Sequence, residues 1–402
     1  MNIITFAKRN KELVFFGLGL TFFSSFGQTF LISLFVPGFL EDFDISYSLF
    51  GSFYSSATLI SAFILVWIGS KVDKVSLTRY SFFVAGGLAL STFLLAVSYW
   101  LPVLLLGLTG VRLFGQGLCG HTAHTAIARN FVAGRGRALS LVNLGFSLGE
   151  ALLPLIVTSV IALVGWRLGW LSASFFIILI LPTIIALTIK RSPEKTPEKD
   201  PRSDKGVKKL EQTIWKRRNV LADYRFYIIL PGIVTSPFLL TGLFLYQTQL
   251  AAYKDWKFEL IATAFIAFAI SKSLFSLLSG SLIDRFTARR VFPFFLLPLL
   301  SGLFVLGIAT HPLAIFLYLF LAGMTEGFGF NIKTSLYAEL YGTETLGTIR
   351  SMMSMFIVIS TAVSPILFGY LLDSGIHFGS IINGAFVLAV VSIISSAFIY
   401  RE

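Results

Sequence analysis

Gly69-Ser70-Lys71-Val72-Asp73-Lys74-Val75-Ser76-Leu77-Thr78-Arg79 closes one long apolar run and opens onto another. The pattern returns 211 residues later as Gly280-Ser281-Leu282-Ile283-Asp284-Arg285-Phe286-Thr287-Ala288-Arg289-Arg290. Both copies read G-x-x-x-D-[KR], with further basic residues behind. Each holds the parts of a turn at a membrane surface: a Gly for close helix approach, an Asp to meet the next helix start, and cations for the headgroup layer. The register continues past the motif, pairing Gly136 with Gly347, Ser140 with Ser351 and Pro154 with Pro365. A duplicated half is the simplest origin of such an offset.

Composition sets the solvent. Hydrophobic residues make up 55% of the 402 residues and charged residues only 13%; a soluble domain carries about twice that charge. The single cysteine, Cys119, excludes an internal disulfide. A formal net charge of +12 raises the question of nucleic acid, but the placement of the charges answers it. Of 32 Lys and Arg, three (Arg167, Lys254, Lys257) fall in even-numbered gaps between apolar stretches, three (Arg112, Lys272, Lys333) fall well inside stretches, and 26 fall in odd-numbered gaps, at the stretch ends that border them, or at the termini. That asymmetry follows the positive-inside rule, predicts both termini in the cytoplasm and turns the basic excess toward anionic lipid headgroups.

Twelve stretches meet the ~20 apolar residues that a bilayer crossing needs. In the first half they are predicted at 13–39, 46–69, 80–99, 102–128 and 137–164, with a sixth ending near Lys190. In the second half they fall at 225–251, 259–282, 291–310, 312–334, 346–371 and 377–399. The first is too long for a signal-peptide core and reads as a retained helix. Residues 191–224 are polar and charge-mixed, the mark of a flexible linker, with a lipid-facing amphipathic helix near Leu210–Leu221 as the alternative. The predicted organisation is therefore 1–190, a six-helix bundle; 191–224, a cytoplasmic linker; and 225–402, a second six-helix bundle. No P-loop, zinc spacing or catalytic triad pattern is present, so neither ATP-driven transport nor enzymatic chemistry is indicated, and no cofactor is expected.

The doubled G-x-x-x-D-[KR] loop, in register across a chain of this length, resembles the major facilitator superfamily of secondary transporters. That resemblance implies an all-α membrane protein of twelve transmembrane helices in two pseudo-symmetric six-helix bundles. It also implies that helices 3, 6, 9 and 12 lie outside, while 1, 4, 7 and 10, with 2, 5, 8 and 11, line a central cavity.

Ionisable residues inside a span are costly and mark functional positions. Five stand out: Arg112 in helix 4, Glu150 in helix 5, Lys272 in helix 8, and Glu326 and Lys333 in helix 10. None falls in helices 3, 6, 9 or 12, in agreement with the map that the resemblance implies. Gln28, Gln116, Asn143, Gln247 and Asn331 follow the same division in part.

Arg112 opens Arg-Leu-Phe-Gly-Gln-Gly, similar to the R-x-x-Q-G signature of proton-coupled family members, with Gln116 one place late. It can grip a substrate carboxylate in a two-pronged bond, tune a nearby acid, or bond backbone carbonyls structurally. Glu150 lies in Gly145-Phe-Ser-Leu-Gly149-Glu150, where the family's drug antiporters place a Pro. Burial in oil penalises a carboxylate, which makes Glu150 a candidate proton carrier, the alternative being a permanent ion pair with Arg112. Glu326 and Lys333 share a face two turns apart, too far for a direct bond; Lys333 can snorkel to the surface, and Lys272 can pair with Glu326 or face the substrate. His121 and His124, one turn apart, lack acidic or Cys partners nearby and read as packing or a pH-sensitive inner gate rather than a metal site.

A cavity with three cations against two anions favours a small anion. The stretch Arg129 to Ser140, with Gly145 and Gly149, is also similar to the inner loop and helix 5 of monocarboxylate and oxalate–formate carriers. Tyr341-Gly342-Thr-Glu-Thr-Leu-Gly347 is similar to their loop between helices 10 and 11. Their helix-8 acid and Arg are replaced here by Lys272 and Ser276.

The expected function is a monomeric, proton-coupled alternating-access carrier of a small organic anion in the inner membrane. Arg112, Lys272, Gln28, Gln247 and Asn331 would contact substrate, and Glu150 or Glu326 would take the proton. Gly69, Asp73, Lys74, Arg79, Gly280, Asp284, Arg285 and Arg289 would form the gating loops. The alternatives are a proton-driven exporter of amphipathic compounds, or a non-transporting membrane sensor or scaffold. The partners are then the anion, protons and membrane lipid, with no nucleic acid.

Overall fold

The computed structural model describes residues 3–131, 135–189, 217–342 and 346–401. These residues form two compact units, Met1–Ile45 with Ser56–Lys208, and Ser46–Ser55 with Lys209–Glu402. Most of the predicted linker, and parts of the stretches after Asn130 and Gly342, lie outside the described residues. From the linker, Arg217–Leu221 is helical.

The first unit opens with α1, a bent pair of segments, Lys11–Gly27 and Thr29–Phe43, that meet at 49°. α2 is Tyr47–Asp73, α3 Leu77–Ala96 and α4 Leu101–Asn130. A single run, Gly136–Ile189, is 54 residues long. At 1.5 Å per residue it would extend about 80 Å, far beyond the ~30 Å of hydrocarbon in a bilayer. It turns at Gly165, whose φ of 80° is open to glycine, giving α5 (135–164) and α6 (166–189). In the second unit α7 is Tyr224–Leu245, continued after a break by Gln247–Lys254. The others are α8 Phe258–Phe286, α9 Ala288–Ile308, α10 Ala314–Tyr341, α11 Leu346–Asp373 and α12 Phe378–Ala397. With the bent pair taken as one crossing and the long run split at Gly165, the described residues give twelve crossings, six in each half.

Helices in oil gain no hydrophobic free energy by touching each other, so contact depends on close backbone approach and polar bonds. Two places show this. In the first unit α1 breaks at Ser24–Gly27, and α4 answers with a π-helical stretch, Val111–Cys119. A Cβ on Gly27 would lie 2.1 Å from the Val111 carbonyl oxygen and 2.4 Å from the Gln116 nitrogen. The two backbones touch, and only glycine fits.

In the second unit α8 and α10 mesh at four-residue steps. A Cβ on Gly323 would lie 2.3 Å from the Phe268 carbonyl oxygen, and one on Gly327 2.5 Å from that of Lys272. One step further, Asn331 Nδ2 donates to the Ser276 carbonyl at 2.9 Å and approaches Ser279 Oγ at 2.7 Å.

Ser46 and the first nine residues of α2 group with the second unit for a local reason. The Asp373 carboxylate, at the end of α11, accepts from the backbone N–H groups of Tyr47 and Ser48 at 3.0 and 2.8 Å, which caps the α2 start. The Tyr246 hydroxyl reaches the carbonyls of Tyr47 and Pro365, each at 2.9 Å.

Two motif readings are corrected. Close approach does not occur at the motif glycines: a Cβ on Gly69 would find its nearest atom 3.6 Å away, and one on Gly280 would meet nothing within 4 Å. Nor does the motif Asp cap the next helix. At α3 that position belongs to Ser76, whose hydroxyl accepts from the Arg79 N–H at 3.5 Å. At α9 it belongs to Glu339, whose two oxygens accept from the N–H groups of Ala288 and Arg289 at 2.7 and 2.8 Å.

The crowding at Gly27 and Gly323 involves backbone atoms that cannot swing away. Gly27→Ala and Gly323→Ala are each expected to cost about 3 kcal/mol, the upper end for overpacking. Gly280→Ala is expected to stay within about 0.5 kcal/mol of the parent. Thermal unfolding of the three purified variants in lipid nanodiscs checks the contrast, and equal midpoints for all three would overturn this account of the packing.

Candidate functional site

The candidate residues divide into a set in each unit. In the first, everything converges on the broken turn of α1. Breaking a helix in oil frees backbone carbonyls, and an orphaned carbonyl there costs several kcal/mol. Arg112, only 3% exposed, donates from Nη1 to the Gly27 carbonyl at 3.2 Å. Gly149 backs onto the same turn, where a Cβ would lie 2.0 Å from Ser25 Oγ. Glu150, the next residue, is 6% exposed. A buried cation thus bonds this four-residue turn, and a buried acid directly follows the glycine packed against it. Gln28 begins the second half of α1, and its Nε2 lies 3.5 Å from Ser24 Oγ.

The displaced Gln116 has a structural correlate. The stretch Arg-Leu-Phe-Gly-Gln holds one residue more between Arg and Gln than the R-x-x-Q spacing, and the π-helical segment spans that stretch. A π turn accommodates an extra residue without breaking the helix, and such turns concentrate at functional sites.

In the second unit Lys272 and Glu326 sit on the two sides of the meshed α8–α10 contact. The Lys272 carbonyl faces Gly327, which directly follows Glu326. Lys272 Nζ lies 5.6 Å from the Phe268 ring centroid. Glu326 accepts a short hydrogen bond from the Ser236 hydroxyl of α7. Lys333, the cation two turns further, lies with Nζ 5.3 Å from the Phe295 ring centroid. Gln247 is buried and begins the segment after the α7 break, as Gln28 does after the break in α1. Asn331 spends its amide donors on α8.

At the inner ends the two motif copies differ. In the first, α2 winds down through a 3₁₀ turn at Ser70–Asp73, and α4 clamps it. His121 Nε2 lies 3.1 Å from the Gly69 carbonyl, Arg129 Nη1 donates to the Val72 carbonyl at 3.1 Å, and Arg129 Nη2 bonds the Asp73 carboxylate. Lys74 follows Asp73 and is exposed. In the second, α8 runs straight through Gly280, Asp284 and Arg285 to Phe286, and the turn falls at Thr287 with φ of 67°. Arg285 lies over the Phe286 ring at 5.1 Å. His124 Nε2 meets Asn143 Oδ1 at 2.7 Å, so the two histidines serve different partners.

Sequence reasoning passed over Gly27, Gly323, Ser236, Arg129 and Glu339. Two of these carried a signal. Ser24-Ser25-Phe26-Gly27 is a polar, glycine-ended interruption of an apolar run. Gly323-Met-Thr-Glu-Gly327 is a small-x-x-x-small helix-contact motif.

Several known proteins share this architecture. A bacterial homolog of the human lysosomal transporter Spinster, in an inward-facing and occupied conformation, superposes with a TM-score of 0.70 at 16% identity, over 98% of this chain and 96% of that one. The nucleoside transporter NupG superposes with a TM-score of 0.70 at 13% identity, over 100% and 99% of the two chains. At these identities the likeness is one of fold. No curated protein matches the chain by sequence. The profile of the Major Facilitator Superfamily matches residues 17–262 and 247–402, and on that match, carried by a twelve-crossing fold, the chain belongs to the Major Facilitator Superfamily and is a multi-pass membrane transporter.

Proposed function

We propose that this transporter carries a small organic anion across the cytoplasmic membrane, coupled to protons, by alternating access and with both termini in the cytoplasm. The observation that carries the reading is the buried Arg112, bonded to the broken turn of α1, with the buried Glu150 directly following the glycine packed on that turn. A guanidinium presents five donors in a planar fork that matches a carboxylate, and it stays charged at any physiological pH. A buried carboxyl in the same unit is the group that would take and release the proton. Lys272 and Glu326 form a second cation and acid in the other unit.

Within this scheme Gln28 and Gln247, each the first residue after a helix break, are further substrate contacts. Discontinuous helices in corresponding positions of two repeats are the places where carriers of this kind hold substrate. Asn331 enters indirectly, by fixing α8 and with it Lys272. Gly69, Asp73, Lys74, Arg79, Gly280, Asp284, Arg285 and Arg289 form the inner gate, with the bond between Arg129 and Asp73 tying the first motif copy to α4.

The purified chain in proteoliposomes, given radiolabelled monocarboxylates and an imposed pH gradient, is expected to take up the anion above protein-free vesicles. Lys272→Ala is expected to lower uptake roughly ten- to a hundredfold, the worth of a charge-assisted bond. Transport of nucleosides or lipophilic dyes with indifference to carboxylates would replace the anion reading. Absence of any transport, with all five charges neutralised at no cost to activity in cells, would favour a sensor.

Glu150→Gln separates binding from coupling. This variant is expected to keep anion counterflow, which needs only binding and reorientation, while losing the response to the pH gradient. Unchanged coupling in Glu150→Gln together with its loss in Glu326→Gln would move the proton to the second unit. Unchanged coupling in both would remove the acids from the mechanism.

A further inference from the structure

The second unit carries a crevice that none of the proposed substrate contacts lines. Between α8, α9 and α10 lies an apolar crevice of about 400 Å³, walled by Leu282, Val291, Phe294, Pro298, Met324 and Phe328. Phe294 is 56% exposed and the adjoining Leu297 41% exposed, so the crevice opens sideways to the surrounding oil rather than closing as core. Its size falls within that of small-molecule sites, yet its walls offer almost no polar group to orient a soluble ligand.

Cations gather at one end. Arg289 and Arg290 directly precede Val291, and Arg285 follows Leu282 by three residues on α8. Lys333 adjoins Ile332, a wall residue, and its Nζ lies 5.3 Å from the ring of Phe295, another. Arg285 and Arg290 are exposed. Three acids stand nearby: Asp284, Glu339, whose two oxygens already accept backbone N–H bonds from Ala288 and Arg289, and Glu326, whose charge acts on Lys333.

We propose that this crevice binds an anionic phospholipid, one acyl chain lying against Phe294, Pro298 and Phe328 and the phosphodiester headgroup held by Arg289 and Arg290. Lys333 adds charge from the α10 side. Joining an apolar slot to a basic mouth selects a molecule with both parts, which a free phosphate lacks. Near a membrane surface each Lys or Arg contributes about 1 kcal/mol to holding an anionic lipid, so two arginines are worth roughly thirtyfold in affinity.

Native mass spectrometry of the full chain, exchanged into equal amounts of phosphatidylglycerol and phosphatidylcholine with the same acyl chains, tests this. Wild type is expected to retain phosphatidylglycerol preferentially, and Arg289→Gln/Arg290→Gln to lose roughly thirtyfold in that affinity with phosphatidylcholine unchanged. Ser301→Phe, which fills the crevice, is expected to reduce retention of both lipids. Arg137→Gln, an exposed cation of the first unit, is expected to change neither. If the double variant does not fold, Arg290→Gln alone, at an exposed position, is expected to lose about fivefold. Equal retention of the two lipids by wild type would overturn the site. So would an intact preference in the arginine variants, or an equal loss in Arg137→Gln.

Discussion

The backbone contact between α1 and α4 is the constraint on which the first unit depends. A helix that breaks inside a bilayer exposes carbonyls that no water reaches, so the break persists only where something donates to them. Here the donor is the Arg112 guanidinium, and the approach that brings it to the Gly27 carbonyl needs a glycine at the contact. The two requirements are coupled. A side chain at Gly27 would push α4 away, and retreat of α4 would take Arg112 from the carbonyl it serves. Arg112 is thus both a structural strut and the strongest candidate for holding an anion. A carrier can use that double role, because whatever draws Arg112 toward a substrate also loosens the turn beside Glu150.

The two halves share a scaffold and differ in what they place on it. At the offset of 211 that aligns both motif copies, Arg112 corresponds to Gly323, Glu150 to Thr361, Lys272 to Ser61 and Glu326 to Gly115. No intramembrane charge is repeated. Where the first half has a cation reaching a broken partner helix, the second has a glycine letting two straight helices mesh. At Arg112 the difference has a structural side, because the cation serves a break in α1 that has no counterpart where Gly323 meshes with α8.

Much of the fold was legible in the sequence because a bilayer imposes simple rules. Length, apolarity and the sidedness of Lys and Arg fixed twelve crossings, and the repeated motif fixed two halves. What stayed hidden was local. Gly69 and Gly280 invite a close-packing reading, but spacing alone cannot tell a glycine that touches a neighbour from one facing open space. The Asp of the motif looks like a cap, yet Glu339, 51 residues beyond Ala288, performs that task at α9. Contacts of that range depend on how helices lie together, which a single sequence records only faintly.

The candidate site was legible residue by residue but not in its grouping. Cost in oil singled out Arg112, Glu150, Lys272, Glu326 and Lys333 without any contact information. Which of them belong together depends on the breaks in α1 and α7, and only the first has a plain interruption before it. Lys333 shows what the distinction is worth. Counted with the others it tips the intramembrane balance toward positive charge, but it stands beside Phe295, against the lipid-accessible crevice. Set aside, it leaves two cations and two acids, each unit holding one of each. Within a unit, a cation and an acid in a low dielectric balance one another, so removing either charge leaves the other uncompensated.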